Sequence, residues 1–174
     1  MNFPVLTALG VLPMVGAGLL MLLPGESRRL SRQLALAFSI VTLLGVAFLA
    51  TQFDYAAAGT AQFTEQHGWM PMFGVSYALG LTGISLVMLL LVTALTPICV
   101  LACWHDAGDE PASVRELFAL LLVTESLILG VFLARDIFMF YMFFEAMLIP
   151  MYFLIGRFGG PAGKRAALKF LLFS

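Results

Sequence analysis

The sequence has 174 residues, of which 61% are hydrophobic and 11% are charged; its formal net charge is −1 and its mean hydropathy is +1.02. Because soluble domains carry about 25% charged residues, this composition excludes a single water-soluble globule and predicts an all-α integral membrane protein surrounded by lipid. No basic stripe with interleaved aromatic residues is present in the sequence, which argues against a nucleic-acid partner.

Five stretches of the sequence are long and apolar enough to cross a hydrocarbon core of about 30 Å as helices. In chain order the predicted spans, with the start of a sixth helix, are Phe3–Leu23, Leu34–Phe53, Gly83–Trp104, Val114–Ala134, Ile137–Ile155 and the region near Ala166. The first span is not a cleavable signal peptide, because no basic residue precedes it and the arginines follow it. Since the sixth helix is too short to span when the sequence stops at Ser174, we favour a fragment of a longer protein over a re-entrant helix.

The segment between helices 2 and 3, residues 54–82, is long and is punctuated by glycine and proline. Its second half alternates apolar residues with a period of two, which predicts a short strand or hairpin lying over the helix ends on the outer face. The alternating residues are Val75, Tyr77, Leu79 and Leu81. Trp69 and Tyr77 also suit the boundary between lipid and water, where amphipathic rings are enriched.

Two polar residues are placed to cap the helices that follow. Ser113, with Glu116 three residues later, forms a capping box that predicts the start of helix 4 near Val114. Asp136 is predicted as the N-cap of helix 5, and with Arg135 it forms a solvated cap rather than a site.

The basic residues predict the orientation, since Lys and Arg are retained on the cytoplasmic side of a membrane. With five crossings, one face carries Arg28, Arg29, Arg32, Arg115, Arg157, Lys164, Arg165 and Lys169. The opposite face carries only Arg135. The sequence therefore predicts a multi-pass protein of the cell membrane with its N-terminus outside.

Glu125 in helix 4 and Glu145 in helix 5 are the acidic residues deep inside the predicted spans. Each is ten residues from Arg135, so in an antiparallel pair they lie at similar depth, about 15 Å from the turn. A carboxyl at this depth normally faces a partner in the bundle, and movement of the partner changes its protonation, which predicts proton transfer. The alternatives are a permanently protonated Glu145 that holds a neighbouring helix, and an ordinary polar helix contact at Glu125.

Other polar features lie close to these glutamates in the sequence. Helical spacing places Tyr141 and Tyr152 on nearly the same face as Glu145. Pro97 and Pro150 each deprive a carbonyl one turn earlier of its amide donor, which favours entry of water.

Cys99, Cys103 and His105 invite a metal interpretation, but a structural zinc site needs a fourth ligand and recognised spacing. Packing is the better account of these side chains. The sequence has no nucleotide-binding or catalytic-triad motif, so we expect no cofactor or redox centre in this chain.

Three stretches of the sequence resemble a known family. They are YALGLTGISLVMLLLVTALTPICVLACW (Tyr77–Trp104), ESLILGVFLARDIFMFYMFFEAMLIPMYFLI (Glu125–Ile155) and AALKFLLFS (Ala166–Ser174). In order and spacing they are similar to the antiporter-like subunit M of NADH:quinone oxidoreductase, or complex I, the family that includes mitochondrial chain 4. Helices 3 to 5 match closely, whereas helices 1 and 2 agree only in general character.

This resemblance implies a proton-translocating membrane subunit whose fold contains two inverted repeats of five helices. Residues 1–112 would hold helices 1 to 3 with the outer loop 54–82, and residues 113–174 would begin the first repeat. Other subunits of the complex would use NADH and quinone, and homologous antiporter-like subunits would be partners.

The resemblance also implies roles for single residues. Glu145 lies in the FFEAMLIPM motif, and its counterpart in the family faces a lysine on a later helix. Lys169 matches a basic position near the inner surface and is not that partner. Thr82 departs from the family, which usually has an aspartate there.

Three other functions remain open at this point. Subunits of multisubunit sodium/proton antiporters and of membrane-bound hydrogenases share the same core motifs. A truncated scaffold that conducts no protons is the third alternative.

Overall fold

The computed structural model describes residues 4–23, 28–70, 72, 74–105 and 110–174. Within these residues the chain forms six helices and a two-stranded antiparallel hairpin. The elements are α1 (Val5–Leu22), α2 (Arg28–Gln52), β1 (Gln62–Met70), β2 (Val75–Leu81), α3 (Gly83–Ala102), α4 (Pro111–Leu133), α5 (Ile137–Phe158) and α6 (Gly163–Phe173). Helices α1 to α5 are each long and apolar enough to cross a membrane, which confirms the predicted spans.

One predicted helix start is wrong, and one helix extends beyond its predicted span. Helix α2 begins at Arg28 rather than Leu34, because its polar first turns continue the helix beyond the apolar stretch. Helix α4 begins at Pro111, so Ser113 lies inside the helix and does not cap it. Proline suits the first turn because its fixed φ is helical and its missing amide would be unpaired there anyway. By contrast, Asp136 caps α5 as predicted, since its carboxylate accepts hydrogen bonds from the amides of the next turn.

Helix α4 lies at the centre of the bundle and contacts α1, α2, α3 and α5. Of its membrane-spanning window, 61% of the residues are buried, against 17% for α5, so α5 lies at the edge of the described bundle. The buried apolar side chains form two clusters. The hairpin-side cluster contains Leu6, Leu9, Val46, Leu49, Phe53, Leu79, Leu81, Leu86, Leu89, Leu129, Leu133 and Met139. The basic-side cluster contains Ala17, Leu20, Ala35, Val100, Val114, Leu117, Phe118, Ala119 and Leu122.

The predicted hairpin is present and lies over one end of the helices. Strand β1 pairs with β2 in antiparallel register, with Glu65 opposite Leu79. The amide of Arg135 donates to the carbonyl of Ala78 at 2.8 Å, which ties the hairpin to the turn between α4 and α5. The sequence predicted the alternation of β2, but it did not reveal β1, whose residues are mostly polar and exposed.

Glu65 of β1 fastens this hairpin to the start of α1. Its carboxylate accepts hydrogen bonds from the amides of Leu6 at 2.6 Å and Thr7 at 3.1 Å. The Thr7 hydroxyl also donates to Glu65 and lies 2.8 Å from the Tyr77 hydroxyl. The first amides of a helix lack partners within the helix and carry partial positive charge, so a carboxylate is well placed there. We call these three side chains, Glu65, Thr7 and Tyr77, the hairpin clamp.

We expect Glu65→Gln to loosen the hairpin clamp. The amide side chain keeps one acceptor but loses the negative charge, and loss of a helix cap costs about 1 kcal/mol. Hydrogen exchange of the Leu6 and Thr7 amides in lipid should become faster. Glu110→Gln is a matched control, because the Glu110 side chain makes no cap hydrogen bond at the start of α4. Unchanged exchange at Leu6 in the Glu65 variant would contradict this role.

Candidate functional site

Helices α4 and α5 bring the two predicted glutamates to the same depth. Glu125 lies eight residues before the end of α4 at Leu133, and Glu145 lies eight residues after the start of α5 at Ile137. At 1.5 Å per residue each is therefore about 12 Å from the turn that joins the helices.

The two glutamates nevertheless face different sides of the bundle. Helices α4 and α5 approach closely where Gly130 meets the ring of Phe143. Successive residues of a helix are rotated by about 100°. Glu145, two residues after Phe143, is thus turned away from α4, and Glu125, five residues before Gly130, is turned away from α5. No hydrogen bond joins the two carboxyls among the described residues.

Glu125 is buried inside the bundle, with 2% of its surface exposed. Neither carboxyl oxygen has a hydrogen-bond partner among the described residues. The hydroxyl of Thr96 on α3 lies beside the carboxyl, but its proton is directed to the carbonyl of Val92 at 3.0 Å. A buried polar group without a partner is unusual in proteins, so Glu125 marks a site that needs a further group.

Glu125 belongs to a band of buried polar side chains at mid-depth, which we call the polar layer. Its members are Ser39, Thr42, Thr93, Thr96, Thr124, Glu125 and Ser126. On each of α2, α3 and α4 the polar layer lies between a residue of the basic-side cluster and a residue of the hairpin-side cluster. The apolar core is therefore divided into two halves by the polar layer.

The residues that α2 and α3 contribute to the polar layer were not predicted as site residues from the sequence. A signal was present, because Ser39 and Thr42 are three residues apart, as are Thr93 and Thr96. Residues three apart lie on one face of a helix. Two such polar pairs in apolar helices indicate a shared polar surface inside a bundle.

Glu145 lies on the exposed face of α5, together with Tyr141 one turn earlier. The Tyr141 hydroxyl lies next to the Glu145 carboxylate. Pro150 is inside α5 and is buried. The alignment of Tyr152 with this pair stays a prediction. The described bundle leaves this face of α5 uncovered, whereas an ionisable side chain inside a membrane span normally faces protein rather than lipid.

Thr82 caps the start of α3. Its hydroxyl accepts a hydrogen bond from the amide of Ser85 at 3.3 Å and lies 3.0 Å from the Ser85 hydroxyl. Aspartate and threonine are both favoured at N-caps. Thr82 therefore supplies a helix cap without the charge of the aspartate that the resemblance implies at this position.

At the end of the bundle opposite the hairpin, arginine side chains connect neighbouring segments of the chain. A guanidinium nitrogen of Arg115 donates to the carbonyl of Leu23, and Arg157 forms an ion pair with Glu116. Glu116 therefore joins α4 to α5 and does not complete the predicted capping box. In the part of the chain that the structure describes, no three His, Cys, Asp or Glu side chains form a group able to hold a metal ion.

The sequence is similar to a family of membrane proteins. Residues 134–174 match the family model described as NADH:quinone oxidoreductase/Mrp antiporter, TM. NADH-quinone oxidoreductase subunit M of Mycobacterium tuberculosis is 42% identical over 99% of this chain and 36% of its own length. NADH-ubiquinone oxidoreductase chain 4 of Arabidopsis thaliana is 36% identical over 97% of this chain and 34% of its own length. The chain thus spans about a third of the length of these curated relatives.

A solved structure has the same fold. A chain of respiratory complex I from Thermus thermophilus, determined with bound NADH, superposes with a TM-score of 0.78 and 30% sequence identity. The match covers 97% of this chain and 32% of the Thermus chain.

Proposed function

This chain belongs to the family of NADH-quinone oxidoreductase subunit M and its chain 4 counterparts, and from that premise we propose that it translocates protons in the membrane arm of complex I. Electron transfer from NADH to quinone takes place in other subunits and drives this transport. Its partners are the other membrane subunits of the complex, especially the homologous antiporter-like subunits, and the surrounding lipid.

The position of Glu145 is the observation that carries this proposal. Insertion of a charged residue at the centre of a membrane helix costs about 2.5 to 3.5 kcal/mol. A carboxylate on the exposed face of α5 is therefore expected to contact another protein group and not lipid. In the family that the sequence resembles, the corresponding glutamate faces a lysine on a later helix. A lysine at this face stabilises the carboxylate, and its withdrawal favours the protonated acid. Such a pair takes up and releases a proton as the complex changes conformation.

Glu125 is a second proton-transfer group in this proposal. It lies at the same depth as Glu145 and is closed off from lipid, with 2% of its surface exposed. Its carboxyl has no hydrogen-bond partner among the described residues, so its protonation is free to respond to water or to a moving polar group.

We place the N-terminus outside the membrane. Of the nine basic residues, five lie at the end of the bundle opposite the hairpin and three lie in α6, which follows that end in the chain. The ninth, Arg135, lies at the hairpin end. Retention of basic residues on the cytoplasmic side supports this orientation. The hairpin clamp then faces the outside.

Transport in inverted membrane vesicles tests the proposal. With the chain assembled in its complex, NADH oxidation should acidify the vesicle interior to the same extent in sodium-free and sodium-containing buffer. A matched sample with a protonophore gives the zero level. Acidification that requires sodium would favour the sodium/proton antiporter alternative instead, and electron transfer without acidification would favour a scaffold.

A further inference from the structure

The hydroxyl groups of the polar layer already donate hydrogen bonds to backbone carbonyls. Each donates to a backbone carbonyl, at 2.9 Å for Ser39, 2.8 Å for Thr42 and 2.7 Å for Thr93. Thr96, Thr124 and Ser126 do the same. With these protons engaged, the hydroxyl oxygens can act only as acceptors.

The backbone adds another acceptor to the polar layer. Pro97 lies inside α3 and has no amide hydrogen, so the carbonyl of Thr93 loses its helical donor. With Glu125 included, the described residues of the layer supply many acceptors and no spare donor. An ionised carboxylate here would find no spare donor among the described side chains of the layer.

Among the described residues, no cation at this depth compensates the carboxyl. The described part of α1 has no titratable side chain, α2 carries only Arg28, Arg29 and Arg32, α3 carries only Cys99, and α5 carries Tyr141, Glu145, Tyr152 and Arg157. All these arginines are near the end of the bundle opposite the hairpin, where Arg32 stacks on Trp104 at 5.9 Å. Arg115 of α4 is held there too, by the carbonyl of Leu23.

Space for small molecules exists next to the polar layer. A cavity of about 100 Å³ extends from Thr7 and Tyr77 at the hairpin end to Gly10 and Ser126. Water occupies about 30 Å³ per molecule in the liquid and enters cavities that offer it polar partners. Its described lining comes from α1, β2, α4 and α5 and includes Ser126, so the cavity reaches the depth of the polar layer on the side of α4 that faces α1 and α5.

We propose that the polar layer is a buried water-binding site in which Glu125 is the neutral acid while the complex is at rest. The acid proton is donated to the Thr96 hydroxyl oxygen, and water molecules supply the donors that the carboxyl oxygens and the Thr93 carbonyl lack. The site lies between α2, α3 and α4, on the other side of α4 from Glu145. The site is defined by the geometry of these three helices, and it does not require proton transport during turnover.

Infrared spectroscopy of the resting complex in liposomes tests this proposal. We expect a carboxylic acid C=O band at pH 7 that shifts when H₂O is replaced by D₂O. The band should be absent in Glu125→Gln and retained in Glu116→Gln, whose carboxylate forms the ion pair at the end of the bundle. Because the resting enzyme is measured, this result is separate from the pumping assay.

Thr96→Val gives a second measurement that keeps the Glu125 carboxyl in place. Loss of the hydroxyl acceptor should shift the acid band without abolishing it, while Thr51→Val on the exposed end of α2 should leave it unchanged. Three outcomes would overturn the proposal: no acid band that depends on Glu125, an acid band that does not respond to D₂O, or a band that sodium removes. The last would assign the layer to a cation.

Discussion

Glu145→Gln should reduce NADH-driven proton translocation at least about tenfold, since proton transfer by a positioned side chain typically contributes about 10²- to 10⁴-fold to a rate. Glutamine keeps the size and polarity of the side chain but has no proton to release. It also keeps an acceptor for the neighbouring Tyr141 hydroxyl. Assembly of the complex should therefore survive while transport fails, as measured by a pH-sensitive dye in inverted vesicles.

Two comparisons make this result specific. Glu145→Asp keeps a titratable carboxyl and should retain part of the pumping. Glu116→Gln removes a carboxylate at the end of the same pair of helices, where it pairs with Arg157, and exposed ion pairs contribute about 0 to 1 kcal/mol. It should pump normally. Normal pumping in Glu145→Gln with an intact complex would exclude Glu145 as a proton carrier.

Gly130→Ala should disturb the contact that sets the relative positions of α4 and α5. A Cβ atom at Gly130 would lie 2.7 to 2.9 Å from ring atoms of Phe143, too close for the ring to stay in place. Overpacking of this kind costs about 1 to 3 kcal/mol. We expect a lower thermal transition of the assembled complex and weaker pumping, because Glu145 lies two residues from the displaced Phe143.

A second substitution separates steric conflict from other effects at Gly130. Adding Phe143→Leu to Gly130→Ala should restore part of the lost stability, since the smaller side chain leaves room for the new methyl group. Gly18→Ala in α1 is the control, because no atom lies within 4 Å of a Cβ added there. It should be neutral or slightly stabilising. If the double variant loses more stability than the two single variants lose together, steric conflict with Phe143 is not the cause of the destabilisation.

The sequence predicted the elements whose signals are local. Spans of apolar residues defined α1 to α5, alternation defined β2, and the single carboxyl side chain of Asp136 defined the start of α5. Ser113 failed as a cap because Pro111 fixes the backbone earlier in the chain. The depth of Glu125 and Glu145 also followed from counting residues along two antiparallel helices.

The directions of those two glutamates depended on information that no local pattern contains. They follow from the contact of Gly130 with Phe143, which decides the faces along which α4 and α5 meet. The polar layer likewise could be recognised only after three helices were placed side by side. Only then is it seen that Ser39, Thr42 and Thr93 lie at the same depth as Glu125. The role of Glu65 was not predicted either, because its partners in α1 are 58 and 59 residues away in the sequence.

The hairpin clamp has a consequence for the order of events during synthesis. Tyr77 follows Thr7 by 70 residues, which the ribosome adds in about 4 to 14 s at 5 to 20 residues per second. During that interval the first amides of α1 have no carboxylate from β1. Early integration of α1 must therefore rely on its apolar side chains alone, and closure of the clamp can occur only after α2 has crossed the bilayer and the hairpin has emerged.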